Sequence, residues 1–168
     1  MTASASVIAS PRLGNFIGFA VCAALLGYAF YSQYALGLAP CPLCILQRIA
    51  VFAAGLAFLG AAVHRAGRGG AIAWGSIIGL VAAVGAAIAA RHVWITAQPP
   101  GTVAECGASL DYMLEVLPLR EVLAKVLTGS GECGKIDWRF LGLSMPAWVL
   151  ASLIALGAWG LFVNLRRR

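Results

Sequence analysis

Two cysteines, in Cys41-Pro42-Leu43-Cys44, stand where a short polar stretch meets a long apolar run, and Arg48 follows shortly after. Thiols at this spacing at a helix start make a redox pair, because the positive end of the helix stabilises anionic sulfur. Pro42 suits the first helical turn and puts Cys41 at or beside the N-cap. Positions 41, 44 and 48 share one helical face. The guanidinium of Arg48, always charged, can therefore hold a Cys44 thiolate or polarise an anionic acceptor. It can also snorkel to lipid headgroups, as arginines near membrane-helix ends do. The apolar run beyond the pair is long enough to cross a bilayer. A soluble thioredoxin-like protein also carries C-x-x-C, but not against lipid.

A second pair, Cys106 and Cys133, lies in one long loop among Pro99-Pro100-Gly101 and Gly129-Ser130-Gly131-Glu132-Cys133-Gly134. Paired, they close a loop of about 27 residues, which ordinarily gives a few kcal/mol of stabilisation. A structural brace is one reading. The glycine-rich setting supports the other, an accessible and exchangeable bond. Zinc held by the four loop cysteines satisfies the ligand count, but the partners are far apart and no metal is expected. Cys22, in mid-span, reads as a small packing residue. His92, just past the third apolar run, can hydrogen-bond an acceptor oxygen or shuttle protons; a solvated interfacial histidine is the plainer reading. Thiol–disulfide exchange moves an electron pair that some sink must accept. At the lip of a bilayer a lipid-soluble quinone fits that role, and no glycine-rich dinucleotide fingerprint is present.

The elements around these residues are membrane spans. The chain is 61% hydrophobic and 11% charged, whereas soluble domains are about half apolar and a quarter charged. Windows of about 20 residues mark spans at 14–34, 45–63, 71–90 and 146–163, predicting a single all-α integral membrane domain built as a four-helix bundle. Gly14/Gly18 and Gly75/Gly79 recur at helix-packing spacing. Arg12, the His64–Gly70 loop with Arg65 and Arg68, and the Arg166–Arg168 tail cluster the positive charge, which orients both termini to the cytoplasm. Loops 35–44 and 91–145 then share the opposite face, where disulfides persist. A signal peptide is an alternative for the first run, but that run is long for an h-region and no A-x-A site ends it. In the long loop Leu119, Val122, Leu123 and Val126 follow helical spacing after Pro118, predicting a short amphipathic helix along the interface. No basic run with interleaved aromatics occurs, so nucleic acid is not an expected partner.

Taken together, these residues resemble the DsbB family, the inner-membrane disulfide bond formation proteins of Gram-negative bacteria. The likeness spans nearly the whole chain. It rests on the four spans, on Cys41-Pro42-Leu43-Cys44-Ile45-Leu46-Gln47-Arg48, on the Cys106…Cys133 pair, and on Trp138-Arg139-Phe140-Leu141-Gly142-Leu143-Ser144-Met145-Pro146. The resemblance implies a protein that reoxidises a periplasmic DsbA-like thiol oxidase and passes the electrons to ubiquinone or menaquinone; this quinone-driven oxidising poise is the family's known property. It implies that Cys106 forms the mixed disulfide with the partner, that Cys133 resolves it by attacking Cys41, and that Cys44 is released facing the quinone beside Arg48. His92 falls on a family position near the quinone, and the helix around Leu119–Val126 on its membrane-skimming helix. Gln47 stands where some members carry Glu. Two alternatives remain: a non-catalytic scaffold or small transporter with structural disulfides, and a vitamin K epoxide reductase type of enzyme. No span carries a central acid for an ion path, and the Phe-Leu-Gly-Leu-x-Met-Pro segment argues against the reductase.

Overall fold

The computed structural model describes residues 10–64, 67–98, 110–128 and 138–166. Among them, four helices are long and apolar enough to cross a membrane: α1 (Pro11–Tyr34), α2 (Pro42–Val63), α3 (Arg68–Thr96) and α6 (Met145–Leu165). The expected all-α four-helix arrangement is what the chain forms. Each start has a local cause. Ser10 caps α1, its hydroxyl accepting the Leu13 N–H at 3.3 Å, with Pro11 in the first turn. Cys41 is the N-cap of α2 ahead of Pro42, and Ser144 that of α6 ahead of Pro146. Pro fits there because a first-turn residue has no intrahelical partner for its N–H.

Lipid tails are as apolar as leucine, so these helices associate through close packing and interhelical hydrogen bonds. The broadest interface joins α3 to α6; α1 packs on α2 and α2 on α3, while α1 meets α6 more sparingly. Phe58, Ile78 and Leu153 are wholly buried at the centre, with Cys22 packed among them as a small apolar residue. Both expected glycine pairs face neighbouring helices. A Cβ on Gly18 would lie 2.6 Å from the Phe58 ring, and one on Gly14 2.8 Å from Val163. Gly75 and Gly79 both abut α6, against Asn164 and Leu161. At this end of the bundle Asn15 and Asn164, both buried, exchange amide hydrogen bonds of 3.1 and 2.9 Å. The Trp159 indole N–H donates to Gly14 O at 2.9 Å, and Arg12 Nε–H to Ala62 O at 3.1 Å. These bonds tie α1 to α2 and α6 at the opposite end of the bundle from Cys41 and Cys44.

The opposite end is closed by two short helices, α4 (Leu110–Val116) and α5 (Leu119–Thr128). The amphipathic helix expected around 119–126 is α5. Its Val122 and Val126, with Met113 of α4, bury against Cys41, Leu43 and Ile95, while Leu119 stays exposed. α4 has only a faint sequence signal, the i, i+4 spacing of Met113 and Leu117. A tight hairpin, β1 (Arg139–Phe140) with β2 (Leu143–Ser144), then leads into α6, pairing Arg139 with Ser144 and Phe140 with Leu143. Its two turn residues, Leu141 and Gly142, have φ of 50° and 80°. This is the turn whose twist matches a two-residue hairpin, and Gly142 meets its second left-handed position without strain. The Trp148 indole donates to Phe140 O at 3.1 Å, holding the hairpin on the first turn of α6.

Candidate active site

α2 starts between α1 and α3, and its first two turns send side chains to both. The Cys44 N–H donates to Cys41 Sγ at 3.4 Å, and the two sulfurs lie 3.1 Å apart. That is hydrogen-bond distance for thiols, well beyond the ~2.05 Å of a bond between them. Cys41 is buried at 8% exposure beneath the α4–α5 cap, whereas Cys44 is half-buried. Of the pair, Cys44 is the more exposed residue. Successive helical residues point about 100° apart, so the adjacent Gln47 and Arg48 part company.

Gln47 turns to α3. Its Nε2 lies 3.0 Å from His92 Nδ1, and His92 Nε2 lies 3.7 Å from Cys41 Sγ. With the amide donating to Nδ1, the ring's own proton sits on Nε2, on the sulfur side. Because α3 continues past Ala90 to Thr96, His92 stands inside the helix and is only 3% exposed. The solvated histidine entertained from the sequence is not what forms. Arg48 turns to α1. Its guanidinium donates to Gln33 Oε1 and, at 3.0 Å, to Ala29 O, and it stacks over the Phe30 ring at 5.5 Å. It is a tethered cation rather than a snorkelling one.

Cys41, Cys44, Gln47, Arg48 and His92 all line one cavity of about 310 Å³. Leu25, Leu26, Val51 and Val149 supply apolar wall, and Trp138, Met145 and Pro146 bring the hairpin and the start of α6 to its side. Trp138 packs against both Tyr28 and Phe140, with ring centroids 6.0 and 5.9 Å away. The segment from Trp138 to Pro146 thus builds one wall of the space into which the cysteine pair opens. Cys106 and Cys133 lie outside the described residues. Sequence reasoning did not find Gln33 and the role of Gln47. The signal for Gln47 was present: with Cys44 and Arg48 it is all the polarity in α2, and polar groups in spans are costly unless partnered.

Residues 11–163 match the family model described as disulfide bond formation protein DsbB. The chain belongs to the DsbB family. Curated relatives named disulfide bond formation protein B cover it almost end to end. The protein of Methylococcus capsulatus is 50% identical over 152 residues, 90% of this chain and 93% of the relative. That of Xanthomonas campestris is 48% identical over 158 residues, 94% and 92% of the two chains. That of Chromobacterium violaceum is 46% identical over 157 residues, 94% and 95%. Family membership makes this chain a multi-pass membrane oxidoreductase of disulfide bond formation. A non-catalytic scaffold is set aside on that ground.

Proposed function

We propose that this protein reoxidises a DsbA-like periplasmic thiol oxidase and delivers the electron pair to a membrane quinone through Cys41 and Cys44. The observation that carries this reading is the dithiol's position. It lines a largely apolar cavity at a membrane-helix start, beside two cationic or N–H-bearing side chains, Arg48 and His92. Cavities of roughly 300–1,000 Å³ with apolar walls and a few directed polar groups are ligand sites. A quinone head, a flat apolar ring with two carbonyl oxygens, matches those walls and donors. Bound there, a quinone, ubiquinone or menaquinone, supplies an acceptor for two electrons and two protons.

The chain's own residues do the rest. Cys106 attacks no substrate while oxidised; the partner's thiolate attacks the Cys106–Cys133 disulfide, forming a mixed disulfide with Cys106 and freeing Cys133. A second partner thiolate then releases Cys106, and the partner leaves oxidised. The Cys133 thiolate attacks Cys41 of the Cys41–Cys44 disulfide and frees Cys44, and Cys106 closes on Cys133 to free Cys41. Closing Cys41–Cys44 again sends one electron pair into the cavity. His92, its Nε2 beside Cys41, is placed to hold a proton of that couple, and Arg48 to steady negative charge at Cys44 or on the acceptor. By the positive-inside tendency both termini face the cytoplasm, and the cysteine pairs face the periplasm across the inner membrane.

The intact chain, mixed with a reduced partner whose second redox cysteine is replaced by serine, tests the donor side. The Cys106–Cys133 disulfide is there to be attacked, and no second partner thiolate can release Cys106. The mixture should accumulate a mixed disulfide between Cys106 and the DsbA-like partner, seen as a reductant-sensitive band on a gel. Absence of the band, or its persistence in Cys106→Ser, refutes the assignment.

A further inference from the structure

Cys41 Sγ, Cys44 Sγ and a ring nitrogen of His92 all lie within 4.8 Å of one another, and it is Nε2 that faces Cys41. A tetrahedral zinc ion, with Zn–S of about 2.3 Å and Zn–N of about 2.0–2.1 Å, needs its sulfurs about 3.8 Å apart and each sulfur about 3.6 Å from the nitrogen. The observed Cys41–His92 separation is 3.7 Å and the sulfur–sulfur separation 3.1 Å. Parting the thiols by well under 1 Å brings both of these edges to the tetrahedral values, and the third edge, from Cys44 to His92, lies within 4.8 Å. From this geometry we propose that the reduced Cys41–Cys44 dithiol and His92 form a binding site for a thiophilic divalent cation such as Zn²⁺, and that occupation arrests the protein in its reduced state.

Three features support the site. Binding displaces one proton from each thiol, so two thiolates cancel the charge of the ion, and the neutral complex suits a cavity with apolar walls. A histidine bound through Nε2 carries its proton on Nδ1 and needs an acceptor there. Gln47, 3.0 Å from Nδ1, provides one when its amide rotates to present oxygen, since it carries both donor and acceptor. All three ligands border the cavity, which leaves a fourth position for water. This trio differs from the zinc site of four cysteines considered from the sequence, because its ligands are already adjacent. The site is gated by redox state: a closed disulfide offers no thiolates. A cation on the dithiol therefore competes with closure of the disulfide and with electron delivery.

The inference rests on the reading of Cys41–Cys44 as an accessible dithiol, but its test needs neither partner nor quinone. The full chain carrying Cys106→Ser and Cys133→Ser is reduced with a phosphine in detergent, without oxygen, and titrated with Co²⁺. One Co²⁺ per chain should bind, with thiolate-to-cobalt charge-transfer bands and the visible bands of a tetrahedral ion, and one equivalent of Zn²⁺ should displace it. His92→Asn should weaken binding at least tenfold, and Gln47→Leu by about tenfold, in chains that elute as the parent does. The proposal is overturned by missing thiolate bands, by their survival in Cys41→Ser, by undiminished affinity in His92→Asn, or by equal binding to the disulfide form. A chain that binds Co²⁺ yet never reduces quinone sinks the proposed function and leaves this site standing.

Discussion

A Cys44→Ser chain should reduce quinone at less than about one-thousandth of the normal rate, the scale of loss when a covalent nucleophile is removed. It should still capture a reduced partner through Cys106. Serine preserves the size of the side chain and the capped helix start, so the fold is not at issue. What disappears is the sulfur of the half-buried Cys44, which borders the cavity beside Arg48. Cys41, buried under Met113, Val122 and Val126, cannot close a disulfide alone. The loss should thus separate two activities that a general defect would abolish together. Following quinone absorbance and partner-complex formation on the same preparation checks this, and normal turnover in the variant would contradict the assigned exit sulfur.

Arg48→Leu should lower kcat/KM for quinone by about ten- to a hundredfold, the equivalent of about 1.5–3 kcal/mol for hydrogen bonds to a charged group. The rate of exchange with the partner dithiol should hold. The reason is the way Arg48 is anchored: Gln33 and Ala29 O take two of its N–H groups and the Phe30 ring supports its face, while the side chain still borders the cavity. A guanidinium has five N–H donors in a rigid fork, so the tether leaves others for an acceptor's oxygen. Arg48→Lys should recover only part of the loss, because a single ammonium on a flexible stem cannot keep both α1 contacts and face the cavity. Steady-state kinetics with varied quinone decide the matter; an unchanged kcat/KM in Arg48→Leu reduces Arg48 to a brace between helices.

The spans were legible because long apolar runs in this chain admit few other structures, and the thiol motif announced itself through Pro42 and the spacing to Arg48. The ends were less legible. Hydropathy stops at Arg91, yet α3 runs on to Thr96, because packing of Ile95 under α4 and α5 continues the helix after the lipid-facing signal ends. That continuation buries His92, and no periodicity argument from its neighbours could have placed it 3.7 Å from Cys41. The Gln47–His92 and Arg48–Gln33 contacts join residues 45 and 15 positions apart; such pairings depend on how helices rotate against one another, which glycine contacts such as Gly18 with Phe58 set. The Trp138–Pro146 segment was recognisable as a motif but silent about shape. The positive φ at Gly142 explains why a glycine stands there, whereas Leu141 takes a positive φ that leucine rarely adopts.

The most direct measurement is an anaerobic quinone titration of the full chain, carrying Cys106→Ser and Cys133→Ser and reduced beforehand. If sulfur at the head of α2 hands its electrons to a lipid-soluble carrier, each chain converts one equivalent of quinone, and Cys41 and Cys44 both stop reacting with an alkylating agent. Quinone left unchanged, with both thiols still labelling, would contradict the account.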